Sequence, residues 1–295
     1  MVDCAAGSDV DAGRDGTRVN GLKVALLQVS YGDDEPLRDR VERVSQWVRG
    51  LEPTDLVLLP ELWAHGGFAS ASWRTTAELV SGQTIAQMAS VARETGTWLH
   101  AGSVIEKADE GADRGSEGRG LWNTSVLLSP QGEVHKTYRK IHRFGFGDGE
   151  PRLLEAGTDL AVVDLEANSG SVRVGMATCY DLRFPELFRQ LGDQGVEVVL
   201  LPAAWPMPRV EHWRLLGRAR ALENQTWVLQ CNTAGTHSGV EMGGHSQIVA
   251  PTGEVLAELG SGEGALVAEL DLDLLKRVRA DFPVLADRRL STLGY

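Results

Sequence analysis

The chain has 295 residues, enough for two average domains or one large α/β domain with a substantial core. Asp plus Glu number 41 against 29 Lys plus Arg, a formal charge of −12, and no basic run offsets it, which argues against nucleic acid as a partner. Three cysteines (Cys4, Cys179, Cys231) exclude a disulfide framework and fit a reducing cytoplasm; the seven histidines lack HxxxH or HxH spacing, so no metal or other cofactor is expected, and no apolar run approaches the roughly 18 residues of a membrane span.

Residues 1–20 have no basic start followed by an apolar stretch, so no secretory signal is expected; their Gly and Asp content predicts a mobile tail ahead of a domain spanning 21–295. LKVALLQV (22–29) predicts a buried strand, followed by a helix over about 36–50 and the strand DLVLLP (55–60). A helix is expected over 82–95 and a strand at TWLHAGSVI (97–105). The polar, glycine-rich stretch 107–120 predicts a loop, and LWNTSVLLS (121–129) and EVHKTY (133–138), joined by PQG, predict a hairpin. An irregular stretch over 139–158 precedes the strand SVRVGMATC (171–179) and a helix opening on Pro185 and Glu186. VEVVLLP (196–202), a helix over 210–225, the strand TWVLQC (226–231) and short strands at SQIVA, EVLAEL and ALVAELDL complete a mixed α/β pattern.

Three reactive side chains stand at the ends of predicted strands. Cys179 closes an apolar strand, Glu61 follows DLVLLP, and Lys140 lies just past EVHKTY. Open α/β sheets place their sites at such carboxyl ends. The types suit amide hydrolysis: a thiol needs a base, a carboxylate can supply it, and an ammonium can hold an oxyanion. The backbone N–H of Tyr180 is a second oxyanion candidate. Taken singly each has a bland reading: a buried apolar cysteine, half of an ion pair, a solvated surface lysine. His142 also permits a Cys–His dyad, and Cys231 is expected to be buried and inert. GFGDG (145–149) lacks the full G-x-G-x-x-G of a dinucleotide loop.

LLPELW (58–63), YRKIHRF (138–144) and CYDLRFPEL (179–187) resemble, in order, the three signature regions of the nitrilase superfamily of carbon–nitrogen hydrolases. The resemblance continues through LLPAAWP, HWRLLGRARALENQTWV and GHSQIVAPTGEVLAE, from Val24 to about Phe282. It implies a four-layer α-β-β-α sandwich, usually a homodimer joined through its helical layers. It also implies Cys179 as nucleophile, Glu61 as general base, Lys140 as support for the intermediate, and a second glutamate matched best by Glu150, with Glu155 competing. CYDLRFPEL with Trp205, Pro206, Pro208, His212 and Trp213 looks most like the ω-amidase and Nit-type branch, whose substrates are small amides such as dicarboxylic monoamides. Nitriles, N-carbamoyl compounds and a non-catalytic binding module are the alternatives. Arg183, with Asp181 or Glu186 as rival partners, and Tyr180, Trp205 and Phe144 are the substrate-contact candidates.

Overall fold

The computed structural model describes residues 20–146, 149–168 and 170–290, so the expected tail, apart from Asn20, lies outside the described residues, as do Gly147 and Asp148 of the glycine-rich run. In chain order the elements are β1 (Gly21–Gln28), α1 (Leu37–Arg49), β2 (Leu56–Leu58), α2 (Trp73–Thr76), α3 (Gln83–Thr95), β3 (Trp98–Lys107), β4 (Leu121–Leu128), β5 (Val134–Arg139), α4 (Glu150–Leu153), β6 (Ala161–Ala167), β7 (Gly170–Met176), α5 (Pro185–Asp193), β8 (Val198–Ala203), α6 (Val210–Asn224), β9 (Trp227–Asn232), the two-residue pair β10 (Thr236–His237) and β11 (Val240–Glu241), β12 (Gln247–Val249), β13 (Val255–Glu258), β14 (Gly264–Asp271) and α7 (Leu272–Asp281).

Strands apolar on both faces require cover on both, and β1 shows how this chain supplies it. Leu22, Val24 and Leu26 alternate with Ala25 and Leu27, and all five are fully buried. The first set meets Val174, Met176, Val198, Leu200, Val228 and Ile248 of the opposite sheet. The second set meets Val41, Val44 and Val48 of α1 and Ile85, Met88 and Val91 of α3. On the far side Leu187, Phe188, Trp213 and Ala221 of α5 and α6 cover the second sheet. The result is the expected α-β-β-α sandwich.

The two sheets share one plan. Their orders are β14-β1-β2-β3-β4-β5 and β13-β12-β9-β8-β7-β6. Each has three parallel strands at its heart, β1-β2-β3 in one and β7-β8-β9 in the other. Antiparallel strands flank them. Parallel strands deliver their carboxyl ends to one edge, and the loops carrying Glu61 and Cys179 leave from that edge.

The sequence pattern assigns no element to AVVDLEA, which forms β6, and it runs the last strand into Leu272, where α7 begins. At that junction Asp271 caps the helix, accepting from the N–H groups of Asp273 and Leu274 at 3.0 and 3.1 Å. Two strands end earlier than expected: β2 stops at Leu58, and β7 stops at Met176, leaving Cys179 outside the ladder.

Gly102 ties the fold to the site. It lies where the β3–β4 register shifts between His100 and Ser103, with φ +71°. A side chain there would collide with the carbonyl oxygen of Pro60 and the indole of Trp63. Its absence lets β3 hold the turn after β2: Leu62 N–H donates to Ser103 Oγ at 3.1 Å, and Trp63 Nε1 donates to the Ala101 carbonyl at 2.9 Å.

Candidate active site

Glu61 begins this turn, and its neighbour Leu62 has φ 45°, in the left-handed region that non-glycine residues occupy only at a cost of about 1–2 kcal/mol. The glutamate is almost fully buried, and each oxygen has partners. Oε1 accepts from Lys140 Nζ and from Asn123 Nδ2, both at 2.8 Å, and Oε2 accepts from the backbone N–H of Ala204 at 2.8 Å.

Lys140 leaves the end of β5, and its N–H donates to the Asn123 carbonyl on β4 at 2.9 Å. Its ammonium lies between two carboxylates, 2.8 Å from Glu61 and 2.9 Å from Glu150. Burial alone would favour release of its proton, but Glu150 and Glu61 outweigh burial and hold the group charged well above the usual lysine range. Glu150 opens α4 and accepts from Phe144 N–H at 2.5 Å and from Asn123 Nδ2 at 2.7 Å. Burial, reinforced by Glu61 and opposed by Lys140, raises its proton affinity above the ordinary glutamate range.

Cys179 is the first residue of a 3-10 turn, Cys179–Arg183, and has φ 47°. The turn is fixed from both sides by a reciprocal cap between Thr178 and Asp181. Asp181, fully buried, also accepts from Tyr138 Oη and pairs with His142 Nδ1, both at 2.7 Å. Thr178 Oγ1 meets Ser125 Oγ at 2.8 Å. Burial pushes the Cys179 thiol well above its usual range, the Glu61 carboxylate adds to the rise, and Lys140 opposes it. Burial and Glu61 thus favour the protonated thiol over the thiolate.

A cavity of about 240 Å³ opens over these groups. Glu61, Lys140, Glu150 and Cys179 all line it, and so do Phe144, Tyr180, Arg183 and Trp205. All eight residues singled out in the sequence therefore meet in one place. Glu155 does not join them, because its oxygens accept the N–H groups of Glu117 and Arg119 in the loop after β3. His142 is not among the lining residues; it is bound to Asp181 and stacks on Phe184 with ring centroids 3.7 Å apart. Arg183 pairs with neither Asp181 nor Glu186; its Nη2 lies 3.3 Å from His212 Nδ1 and its guanidinium sits over the Trp205 ring. Cys231 is fully buried, with Sγ directed at the carbonyls of Leu27 and Leu58.

Three contributors escaped the sequence reading: Asn123, whose amide bridges both carboxylates, the Ala204 N–H, and Arg209 on the cavity wall. An asparagine inside the strand LWNTSVLL was the one available signal, since strands disfavour it. No group of three or more His, Cys, Asp or Glu placed to hold a metal occurs among the described residues, and no described helix is long and apolar enough to cross a membrane.

The carbon–nitrogen hydrolase family model matches residues 23–280. The chain belongs to the carbon–nitrogen hydrolases of the nitrilase superfamily. It is 46% identical over 270 residues to a 2-oxoglutaramate amidase of Paenarthrobacter nicotinovorans, covering 91% of this chain and 90% of that one. It is 35% identical over 235 residues to a 2-oxoglutaramate amidase of Bacillus subtilis, covering 80% and 85%. Saccharomyces cerevisiae Nit3, a member of branch 10 of the nitrilase superfamily, superposes with a TM-score of 0.79 at 27% identity over 92% of this chain and 97% of its own. This carbon–nitrogen hydrolase is thus an amidase of the ω-amidase and Nit-type branch.

Removing the cation from this hydrolase site would leave two buried carboxylates facing each other. Lys140→Met is expected to lose about 3–5 kcal/mol of stability at pH 8. Without the ammonium a carboxyl group has a folded proton affinity above its unfolded one, so the loss should shrink as pH falls toward 5, where that group takes up a proton. Urea melts at pH 5.5 and pH 8 measure this; an equal loss at both would remove the electrostatic explanation.

Proposed function

We propose that the chain hydrolyses the terminal amide of a small carboxylate-bearing molecule, a dicarboxylic monoamide of the 2-oxoglutaramate kind, through a thioester on Cys179. The observation that carries this reading is the Glu61 carboxylate, held by three donors beside the Cys179 thiol in the wall of one cavity. The relatives named above support the choice of substrate.

Cys179 Sγ attacks the amide carbon while its proton passes to Glu61. The oxygen becomes an oxyanion and receives stabilisation from Lys140 Nζ, with the Tyr180 N–H as second donor; a donor of this kind contributes about 3–4 kcal/mol. Glu61 returns the proton to the nitrogen, the carbon–nitrogen bond breaks, and ammonia leaves. Glu61 then deprotonates a water that attacks the thioester carbon, releasing the acid and restoring the thiol. Glu150 and Asn123 touch no reacting bond in this scheme; they hold Lys140 and Glu61 in place. Phe144, Tyr180 and Trp205 form walls against which the methylene chain of the substrate packs.

A homodimer joined through helical layers fits Leu215 and Leu222, which lie on one face of α6 and are 64% and 56% exposed. Sedimentation equilibrium would read about twice the chain mass; a monomer would refute this arrangement. An odd set of cysteines, with Cys179 and Cys231 both free and buried, supports a cytoplasmic location.

Ammonia release from 2-oxoglutaramate, succinamate, glutamine, an N-carbamoyl amino acid and a simple nitrile tests the reaction. Wild type is expected to act on the first two. Cys179→Ala should abolish release, and Glu61→Gln should lower kcat about a hundred- to ten-thousand-fold. Activity retained by Cys179→Ala would remove the nucleophile, and release from the nitrile or N-carbamoyl compound alone would move the substrate class.

A further inference from the structure

The turn that begins at Glu61 runs on into a wall of the catalytic cavity, which Gly67 and Phe68 line. No helix or strand holds this stretch, since β2 ends at Leu58 and α2 begins at Trp73. Its backbone is tied instead to a buried pair that no step of the mechanism uses. The Gly67 N–H donates to Tyr31 Oη at 3.2 Å, and that hydroxyl lies 3.2 Å from His237 Nε2. Tyr31 follows β1, His237 belongs to β10, and both are buried. Their rings stack with centroids 4.3 Å apart, and the Phe68 ring centroid lies 6.1 Å from that of the imidazole.

Hydrogen-bonding capacity fixes the direction of these contacts. Burial holds the Tyr31 phenol protonated well above the usual tyrosine range. Burial and the Arg40 charge lower the pKa of His237 to about 4, so its ring is neutral near pH 7. The hydroxyl accepts from Gly67, and among the described residues its own proton has only His237 Nε2 to go to. The imidazole proton then stands on Nδ1, which has no partner among the described residues. A buried donor left unpaired costs stability, so the histidine is not explained as a stabilising group. What the pair supplies is position. Gly67 passes so close to Ala204, whose N–H holds Glu61, that a side chain at 67 would collide with it. Arg40 packs 4.0 Å from the Tyr31 ring centroid and donates to the Trp63 carbonyl at 3.0 Å, joining the pair to the Glu61 turn a second time.

We propose that Tyr31 and His237 are positioning residues that set the Gly67–Phe68 wall, and with it the length of acyl chain the cavity accepts. The inference rests on the amidase reading and adds residues behind the wall that tune its specificity. Neither residue is assigned to the bond-breaking steps.

The test is the kcat/KM series for succinamate, glutaramate and adipamate in wild type, Tyr31→Phe and His237→Leu. Wild type is expected to prefer glutaramate to adipamate by about tenfold or more, the worth of one methylene against a fitted apolar wall. Each substitution should cut that ratio about fivefold, chiefly through KM, while kcat for glutaramate stays within about threefold of wild type. A ratio between two substrates is unaffected by partial loss of folded enzyme, so a merely structural role for the pair would leave it in place. A ratio unchanged in both variants would overturn the proposal, as would a wild type indifferent to chain length. If wild type hydrolyses none of these amides, the amidase reading fails separately from the wall. The relative rates at which N-methylmaleimide and N-phenylmaleimide alkylate Cys179, read by peptide mass spectrometry, then decide. A ratio moved about threefold or more by either substitution supports the proposal, and a ratio indifferent to both overturns it.

Discussion

The ammonium of Lys140, 2% exposed, exists as a cation because two carboxylates lie within 3 Å of it. Taking a lysine charge out of water costs several kcal/mol, and each carboxylate would cost as much alone. Together they offset one another only in good geometry, and the geometry here is supplied from four directions. β5 delivers Lys140, the turn after β2 delivers Glu61, α4 delivers Glu150, and the Asn123 amide on β4 donates to both carboxylates. The Ala204 and Phe144 N–H groups satisfy the remaining oxygens. No single element contains the cluster: its side chains come from the first sheet and α4, and the chain after β8 of the second sheet adds the Ala204 N–H.

The cluster determines the state of the nucleophile. A lone cation beside Cys179 would favour a resting thiolate, but Glu61 and burial act more strongly in the opposite direction. The thiol is thereby held protonated, with the Glu61 carboxylate as its neighbour. Backbone strain is found at the same points. Cys179, which carries the thiol, and Leu62, next to Glu61, both have left-handed backbones, held by the Thr178–Asp181 cap in one case and Ser103 in the other.

How much of this was legible in the sequence depended on the range of the interaction. Strand periodicity located β1, β4, β8 and β9, because burial on one or both faces is written in consecutive residues. The reactive side chains were visible as charged or thiol groups ending apolar runs, and their order along the chain indicated the family. Residues whose role is to bridge elements were invisible. Asn123 lies about half-way from Glu61 to Cys179 in sequence, touching Glu61 and Glu150 by folding alone. Ala204 contributes only its backbone, which no side-chain pattern records. Arg209 stands just ahead of α6, where no motif marks it. The strand β6 was missed because partly exposed Val162 and Val163 break its alternation, and α7 because the strand-like alternation of Glu269, Leu270, Asp271 and Leu272 runs through its cap.

The central claim is that amide cleavage passes through an acyl group on Cys179 activated by Glu61. Rapid-quench mixing of enzyme with succinamate, followed by intact-protein and peptide mass spectrometry, addresses it most directly. The account predicts a transient acyl adduct on the Cys179 peptide, with one equivalent of ammonia appearing before the acid. Ammonia and acid released together with no adduct at any quench time, or an adduct on Cys231, would contradict it.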